Sequence, residues 1–141
     1  MDNKCLDPKI FTTLDLLKLL VYLEAQGEPF EGKLAVACIV KNRTKDKRWP
    51  NTYKEVMLQP SQFSCFNNMN EDRYKLFRKP MVHDLEIIQR ECRAASFLVH
   101  EGWVRDVTNG ANHYYNPEKC APSWAEGVNY KTIGQHRFLK L

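Results

Sequence analysis

Apolar positions recur at helical spacing in three stretches of this 141-residue chain and lose that period after about residue 101. In the first stretch Leu16, Leu17, Leu20 and Leu23 fall on one side of a 3.6-residue period. Thr12, followed three residues later by Asp15, resembles a capping box, in which Glu or Gln is the usual third-position partner. The pattern predicts a helix that begins after Thr12 and ends near Gly27 and Pro29. A second helix is expected from about Glu31 to about Arg43. Its middle, Leu34 to Val40, is unbroken apolar sequence, as in a central helix contacted on several sides, although its two valines and one isoleucine leave a strand reading open. A third runs from Met81 to about Glu101, carried by Leu85, Ile88, Cys92, Ala95 and Val99 and ended by Gly102.

The intervals are polar or punctuated. Thr44 to Arg48 is charged and predicts a loop, and Pro50 favours an extended or turn backbone at Trp49. Thr52 with Glu55 offers a second capping box, for a short helix reaching Met57 or Leu58. Gln59 to Asn70 has no sustained period and predicts a loop, with one or two helical turns possible over Asp72 to Phe77. Beyond Gly102, Gly110, Pro117, Pro122, Gly127 and Gly134 stand among aromatics and histidines, which predicts loops with short strands. Without repeats or a linker, the whole chain, 1–141, reads as one domain.

Composition changes this picture little. Hydrophobic residues make up 43% and charged residues 27%, so a core is expected and extended disorder is not. The net charge of +4 favours anionic partners without choosing among them. The basic run Lys45-Asp46-Lys47-Arg48 lacks any nucleic-acid-binding signature, so no nucleic-acid partner is expected. The stretch from Leu14 to Leu23 carries Asp15 and Lys18 and is too short to span a bilayer. No signal peptide is visible, so a soluble protein made in the cytoplasm is expected, with no stable membrane insertion and a monomeric state. The five cysteines form no CxxC pair, and Cys38 and Cys92 fall inside apolar helical patterns as small hydrophobes.

Glu24 is the sharpest chemical candidate. It lies four residues after Leu20 and seven after Leu17, on or beside the apolar face of the first helix. A carboxylate at the buried edge of a helix loses hydration, which favours the neutral, proton-donating form. Glu28 is the nearby alternative, beyond Gly27. The histidines show no metal-binding motif. His113 and His136 could approach each other if two C-terminal strands pair, with Cys120 nearby, but no metal and no cofactor is expected. In His113-Tyr114-Tyr115-Asn116-Pro117, strand alternation would send Tyr114 to one face and His113 with Tyr115 to the other. Aromatic rings beside Asn and His suit a sugar-binding cleft, and equally a packed aromatic hairpin.

Several blocks, taken in order, resemble the catalytic domain of the SleB/CwlJ-type cell wall hydrolases. They are Glu24-Ala25-Gln26-Gly27-Glu28, Glu31 to Ala37 leading to Asn42-Arg43, Pro50-Asn51-Thr52 and Gln62-Phe63-Ser64. Gly110 to Pro117, Pro122-Ser123-Trp124 and Ile133 to Phe138 complete the series. The resemblance runs from about residue 20 to the C-terminus. It implies a mainly α, lysozyme-like helical domain of the lytic-transglycosylase type with a small antiparallel strand element. It also implies peptidoglycan glycan strands as substrate, cut between N-acetylmuramic acid and N-acetylglucosamine, with Glu24 as the catalytic residue. Glu28, Gln62, Phe63, Ser64, His113, Tyr114, Tyr115 and Asn116 are the implied substrate-binding residues. The sequence departs from the family pattern at Cys65, where Trp is frequent, and at Gln26, where Arg is frequent. The site of action implied is the bacterial cell wall or spore cortex, and a phage-associated member is compatible with the compact length.

A lytic transglycosylase needs one carboxyl group, which protonates the glycosidic oxygen and then deprotonates the muramic C6 hydroxyl to leave a 1,6-anhydro end. Hydrolytic muramidase action would instead call on Glu28, Asp72, Asp84 or Asp106 to activate water. An inactive glycan-binding or phage structural protein is the reading from another class.

Overall fold

A computed structural model describes residues 11–25, 27–59 and 83–141, apart from the side chains of 83–88. The first helix, α1, spans Thr13–Ala25. The hydroxyl of Thr12 accepts a hydrogen bond from the Asp15 N–H at 3.2 Å, so the capping residue read from the sequence does cap. Leu16, Leu17, Leu19, Leu20 and Val21 are all buried, and Glu24 stands half-buried in the last turn.

Helix α2, Phe30–Thr44, is the central element. Every residue from Gly32 to Val40 is buried, because α1, the short helix α3 (Tyr53–Met57) and the long helix α4 (His83–His100) all pack on it. Its continuous apolar run is therefore that of a helix enclosed on several sides, which removes the strand alternative. Lys33 is the polar exception, 1% exposed. Its ammonium donates to the Glu28 carbonyl at 2.5 Å and meets the half-exposed Glu91 carboxylate at 3.1 Å, which satisfies a charge that burial would otherwise penalise. Thr52 caps α3 by accepting from the Glu55 N–H at 3.2 Å. Gly102 closes α4 with φ +76°, a conformation open to glycine.

Three short strands follow: β1 (His113–Tyr115), β2 (Lys131–Ile133) and β3 (His136–Leu139). They form an antiparallel sheet in the order β1-β3-β2, with Tyr114 opposite Phe138 and Tyr115 opposite Arg137. The sheet joins the helical core through Ile133 and Phe138, which are buried. A polar clamp fixes the approach to β1. Asn42 on α2 donates to the Asp106 carboxylate at 2.8 Å and to the Ala111 carbonyl at 2.9 Å, while Arg43 donates to the Asn112 carbonyl at 2.8 Å. Asp106 also accepts from the Thr108 and Gly110 N–H groups, each at 2.8 Å.

Cys38 and Cys92 are buried free thiols, as their apolar helical settings suggest, and burial pushes both up to about 12. Of the C-terminal aromatics, Phe138 is buried at 1% exposure while Trp103 is 75% exposed. No described helix is long and apolar enough to cross a membrane.

Candidate active site

The turn from α1 into α2 carries both glutamates of interest. The Glu28 N–H donates to the Ala25 carbonyl at 3.1 Å, which ends α1 and turns the chain so that the Glu28 side chain points inward. Glu24, one helical turn earlier, makes no hydrogen bond or ion pair with another described residue. The two carboxylates therefore occupy different settings: Glu24 half-exposed and unengaged, Glu28 8% exposed and fully occupied.

What occupies Glu28 is the β2–β3 turn. Its carboxylate oxygens accept from the Gln135 N–H at 3.1 and 3.2 Å. His136 Nδ1 lies 2.5 Å from Glu28 Oε1, an approach outside ordinary hydrogen-bond angles, and this buried nitrogen has no hydrogen-bond partner among the described residues. Gly134 makes the contact possible. It takes φ +60° at the first position of the two-residue turn, and a Cβ there would lie 2.9 Å from Glu28 Cδ. Gly32 serves the other side, where a Cβ would come 2.9 Å from Glu28 Cβ.

Strand alternation distributes the aromatic residues. Tyr114 stacks on Phe138 with ring centroids 5.6 Å apart and meets the His136 ring edge-on at 5.4 Å, so it shares a sheet face with the Glu28–His136 contact. His113 and Tyr115 lie on the opposite face, each against Trp124, at 5.0 and 5.7 Å. One wall thus cannot present both tyrosine rings. The His113 ring also packs edge-on against Trp49 at 5.8 Å, and its Nδ1 lies 2.8 Å from Asn112 Oδ1. Burial, with the nearby Arg43 and Arg48 guanidinium charges, holds His113 below the usual histidine range.

The strand register also keeps the two C-terminal histidines apart, since His113 is opposite Leu139 and His136 opposite Ile133. Asn116 turns the chain after β1, its side-chain oxygen accepting from the Glu118 N–H at 2.9 Å. Gln62, Phe63 and Ser64 lie outside the described residues, as do the Gln59–Asn70 loop from residue 60 onward and the Asp72–Phe77 segment.

Sequence reasoning missed three participants. Gln135 contributes through its backbone N–H, which no side-chain pattern reveals. Asn42 and Arg43 were visible only as part of a family block, although the polar triplet Lys41-Asn42-Arg43 following a seven-residue apolar run was a signal that these side chains needed partners. Arg137 alternates with His136 and Phe138 and so belongs to the far face of the sheet.

A helical domain built on a buried central helix, with a small antiparallel sheet against the α1–α2 turn, is a lysozyme-type fold of the SleB kind. The chain belongs to the Cell Wall Hydrolase family, whose profile matches residues 27–139 and so begins just after Glu24. It is 30% identical over 124 residues to the spore cortex-lytic enzyme of Bacillus subtilis (strain 168), covering 87% of this chain and 36% of that protein. Against the spore cortex-lytic enzyme of Oceanobacillus iheyensis it is 29% identical over 128 residues, 90% of this chain and 41% of that one. The catalytic domain of the germination-specific lytic transglycosylase SleB from Bacillus anthracis superposes with a TM-score of 0.68 at 26% identity, covering 95% of this chain and 100% of that domain. The chain spans less than half the length of these curated relatives.

Proposed function

We propose that this domain cleaves peptidoglycan glycan strands between N-acetylmuramic acid and N-acetylglucosamine, as a lytic transglycosylase that leaves 1,6-anhydromuramic ends. The observation that carries this reading is the contrast between the two glutamates, in a domain of the Cell Wall Hydrolase family similar throughout to a lytic transglycosylase catalytic domain. Glu24 is half-buried with its carboxylate unengaged by described residues, whereas Glu28 is committed to Gln135 and His136.

In the mechanism, the Glu24 carboxyl donates its proton to the glycosidic oxygen as the C1–O bond breaks and positive charge develops at C1. The resulting carboxylate takes the proton of the muramic C6 hydroxyl, whose oxygen closes onto C1. Glu24 ends as it began, and no water is consumed. Hydrolysis would require a second carboxylate to activate water. Among the described candidates, Glu28 is buried and Asp106 is bonded to Asn42, Thr108 and Gly110, which favours the one-carboxyl route. Tyr114 and His136 would line the substrate side of the sheet, with Glu28 fixing His136. Gln62, Phe63 and Ser64 complete the proposed glycan contacts on that side, while His113, Tyr115 and, after β1, Asn116 would meet the polymer from the opposite face of the sheet.

The test is product analysis by mass spectrometry after incubation with purified peptidoglycan, including muramic-lactam-containing cortex. Anhydro ends, lighter by one water than reducing ends, are expected. Reducing ends would replace transglycosylation by muramidase action. A folded protein that binds these substrates but cleaves none would replace enzymatic action by glycan binding.

A further inference from the structure

The far face of the sheet carries a recess of about 570 Å³ whose lining includes Tyr115, Ser123, Glu126, Asn129, Tyr130 and Arg137. Arg137 is its one cation among the lining residues and comes from β3, the strand bonded on both sides, so its backbone is the best anchored part of the sheet. The guanidinium lies between two rings, 4.4 Å from the Tyr130 centroid and 6.0 Å from that of Tyr115. One N–H donates to the Tyr115 hydroxyl at 3.2 Å. A guanidinium carries five N–H donors, so most of the fork meets no acceptor among the described residues, and Glu126 in the same recess forms no ion pair with it. Both rings are spent on orienting the guanidinium, which makes the recess poor as a sugar-stacking platform and good as a planar acceptor site. A fixed, partly unpaired fork of this kind matches a carboxylate, which it can hold through two parallel charge-assisted hydrogen bonds.

We infer that the Arg137 recess is a second substrate subsite that binds a carboxylate of the wall polymer, on the sheet face opposite the Glu28–His136 contact. This rests on the wall-cleaving reading above and adds to it the group by which the polymer is gripped. Wall material offers that carboxylate from two sources, the short peptide attached to the glycan and the lactyl group of muramic acid where the peptide has been removed. Glu126 and Asn129 in the same lining would serve the N–H groups that accompany a peptide carboxylate.

Binding can be read without any cleavage. Three probes are titrated into the 141-residue protein while the Arg137 side-chain N–H and the Tyr130 ring are followed by NMR: a sugar-free wall tetrapeptide, the same peptide with its carboxyls amidated, and a peptide-free glycan oligomer bearing lactyl carboxylates. At least one carboxylate probe is expected to shift these signals saturably, and whichever does so identifies the source. The amidated peptide should not. Arg137→Gln should weaken the productive probe roughly tenfold or more, the loss of a charge-assisted pair, and Tyr130→Ala should weaken it less because the fork remains. The inference is overturned if neither carboxylate probe binds, if amidation makes no difference, or if Arg137→Gln binds as wild type does. Turnover of whole peptidoglycan, measured in parallel, keeps the two ideas apart. Cleavage without recess binding rejects the subsite alone, and recess binding without cleavage rejects the enzymatic reading alone.

Discussion

Glu28 and His136 are 108 positions apart in sequence, yet the glutamate oxygen and the imidazole Nδ1 lie 2.5 Å apart beneath the β2–β3 turn. With the Gln135 N–H on the same carboxylate, this contact ties the junction of α1 and α2 to the sheet. Any movement of the sheet relative to the helix that carries Glu24 must first break it.

Glu28→Ala should therefore destabilise the fold as well as impair function. The substitution leaves the Gln135 N–H without its acceptor, removes the carboxylate beside the buried His136 Nδ1 and opens a small cavity. A loss of about 2–4 kcal/mol is expected, the range for breaking a buried polar pair on one side. Urea denaturation of wild type and variant measures it. A change under about 0.5 kcal/mol, the size of an ordinary surface substitution, would show that the contact holds nothing in place.

Two glycines separate backbone strain from collision. Gly127 and Gly134 both have positive φ, +73° and +60°, but nothing lies within 4 Å of a Cβ at Gly127, whereas one at Gly134 would strike Glu28. Alanine at Gly127 should cost about 1–2 kcal/mol, the penalty for an L residue in the left-handed region. Alanine at Gly134 should cost more by at least about 1 kcal/mol. Equal losses in thermal or urea unfolding would mean that the turn can shift away from Glu28 without penalty.

The halves of this architecture were unequally legible in the sequence. Helices α1 and α4 announced themselves through a periodic apolar face and α2 through an unbroken apolar run, and Thr12 and Thr52 marked starts that their hydroxyls do cap. The opposed faces of Tyr114 and Tyr115 followed from strand alternation, and Gly134 marked the turn. The pairing of that turn with Glu28 was not legible, because a contact between distant segments leaves no local period. The same holds for Asn42 with Asp106. For Trp103, composition cannot distinguish a ring that fills a core from one that stands in solvent.

His113 should titrate below the ordinary histidine pKa of about 6.5, because burial and the Arg43 and Arg48 charges disfavour its imidazolium. The sign for stability follows from linkage. Between about pH 6.5 and the lower folded value, the unfolded chain binds a proton that the folded chain refuses, so this contribution to stability is full above about pH 6.5 and falls as pH drops through the window. Histidine NMR titration gives the midpoint, and denaturation at stepped pH gives the slope, compared with His113→Asn. A midpoint above 6.5, or a slope unchanged in the variant, would contradict the setting described for this ring.

Glu24→Gln should abolish glycan cleavage while leaving folding and glycan binding near wild type. Glutamine keeps the size and most of the hydrogen-bonding capacity of glutamate but has no proton to give, and Glu24 holds no described residue in place, so the fold loses nothing with its charge. General acid catalysis is worth about 10²–10⁴-fold, and a group used first as acid and then as base stands to cost more. Glu28→Gln supplies the contrast. Its amide can still accept from the Gln135 N–H, so residual turnover should survive in proportion to how well His136 stays in place. Turnover on purified peptidoglycan, with binding measured separately by co-sedimentation, distinguishes the two substitutions. Near-wild-type cleavage by Glu24→Gln would remove it as the acid. If Glu28→Gln alone were silent yet folded, the buried glutamate would be the catalytic group, and the α1–α2 turn would have to open for substrate to reach it.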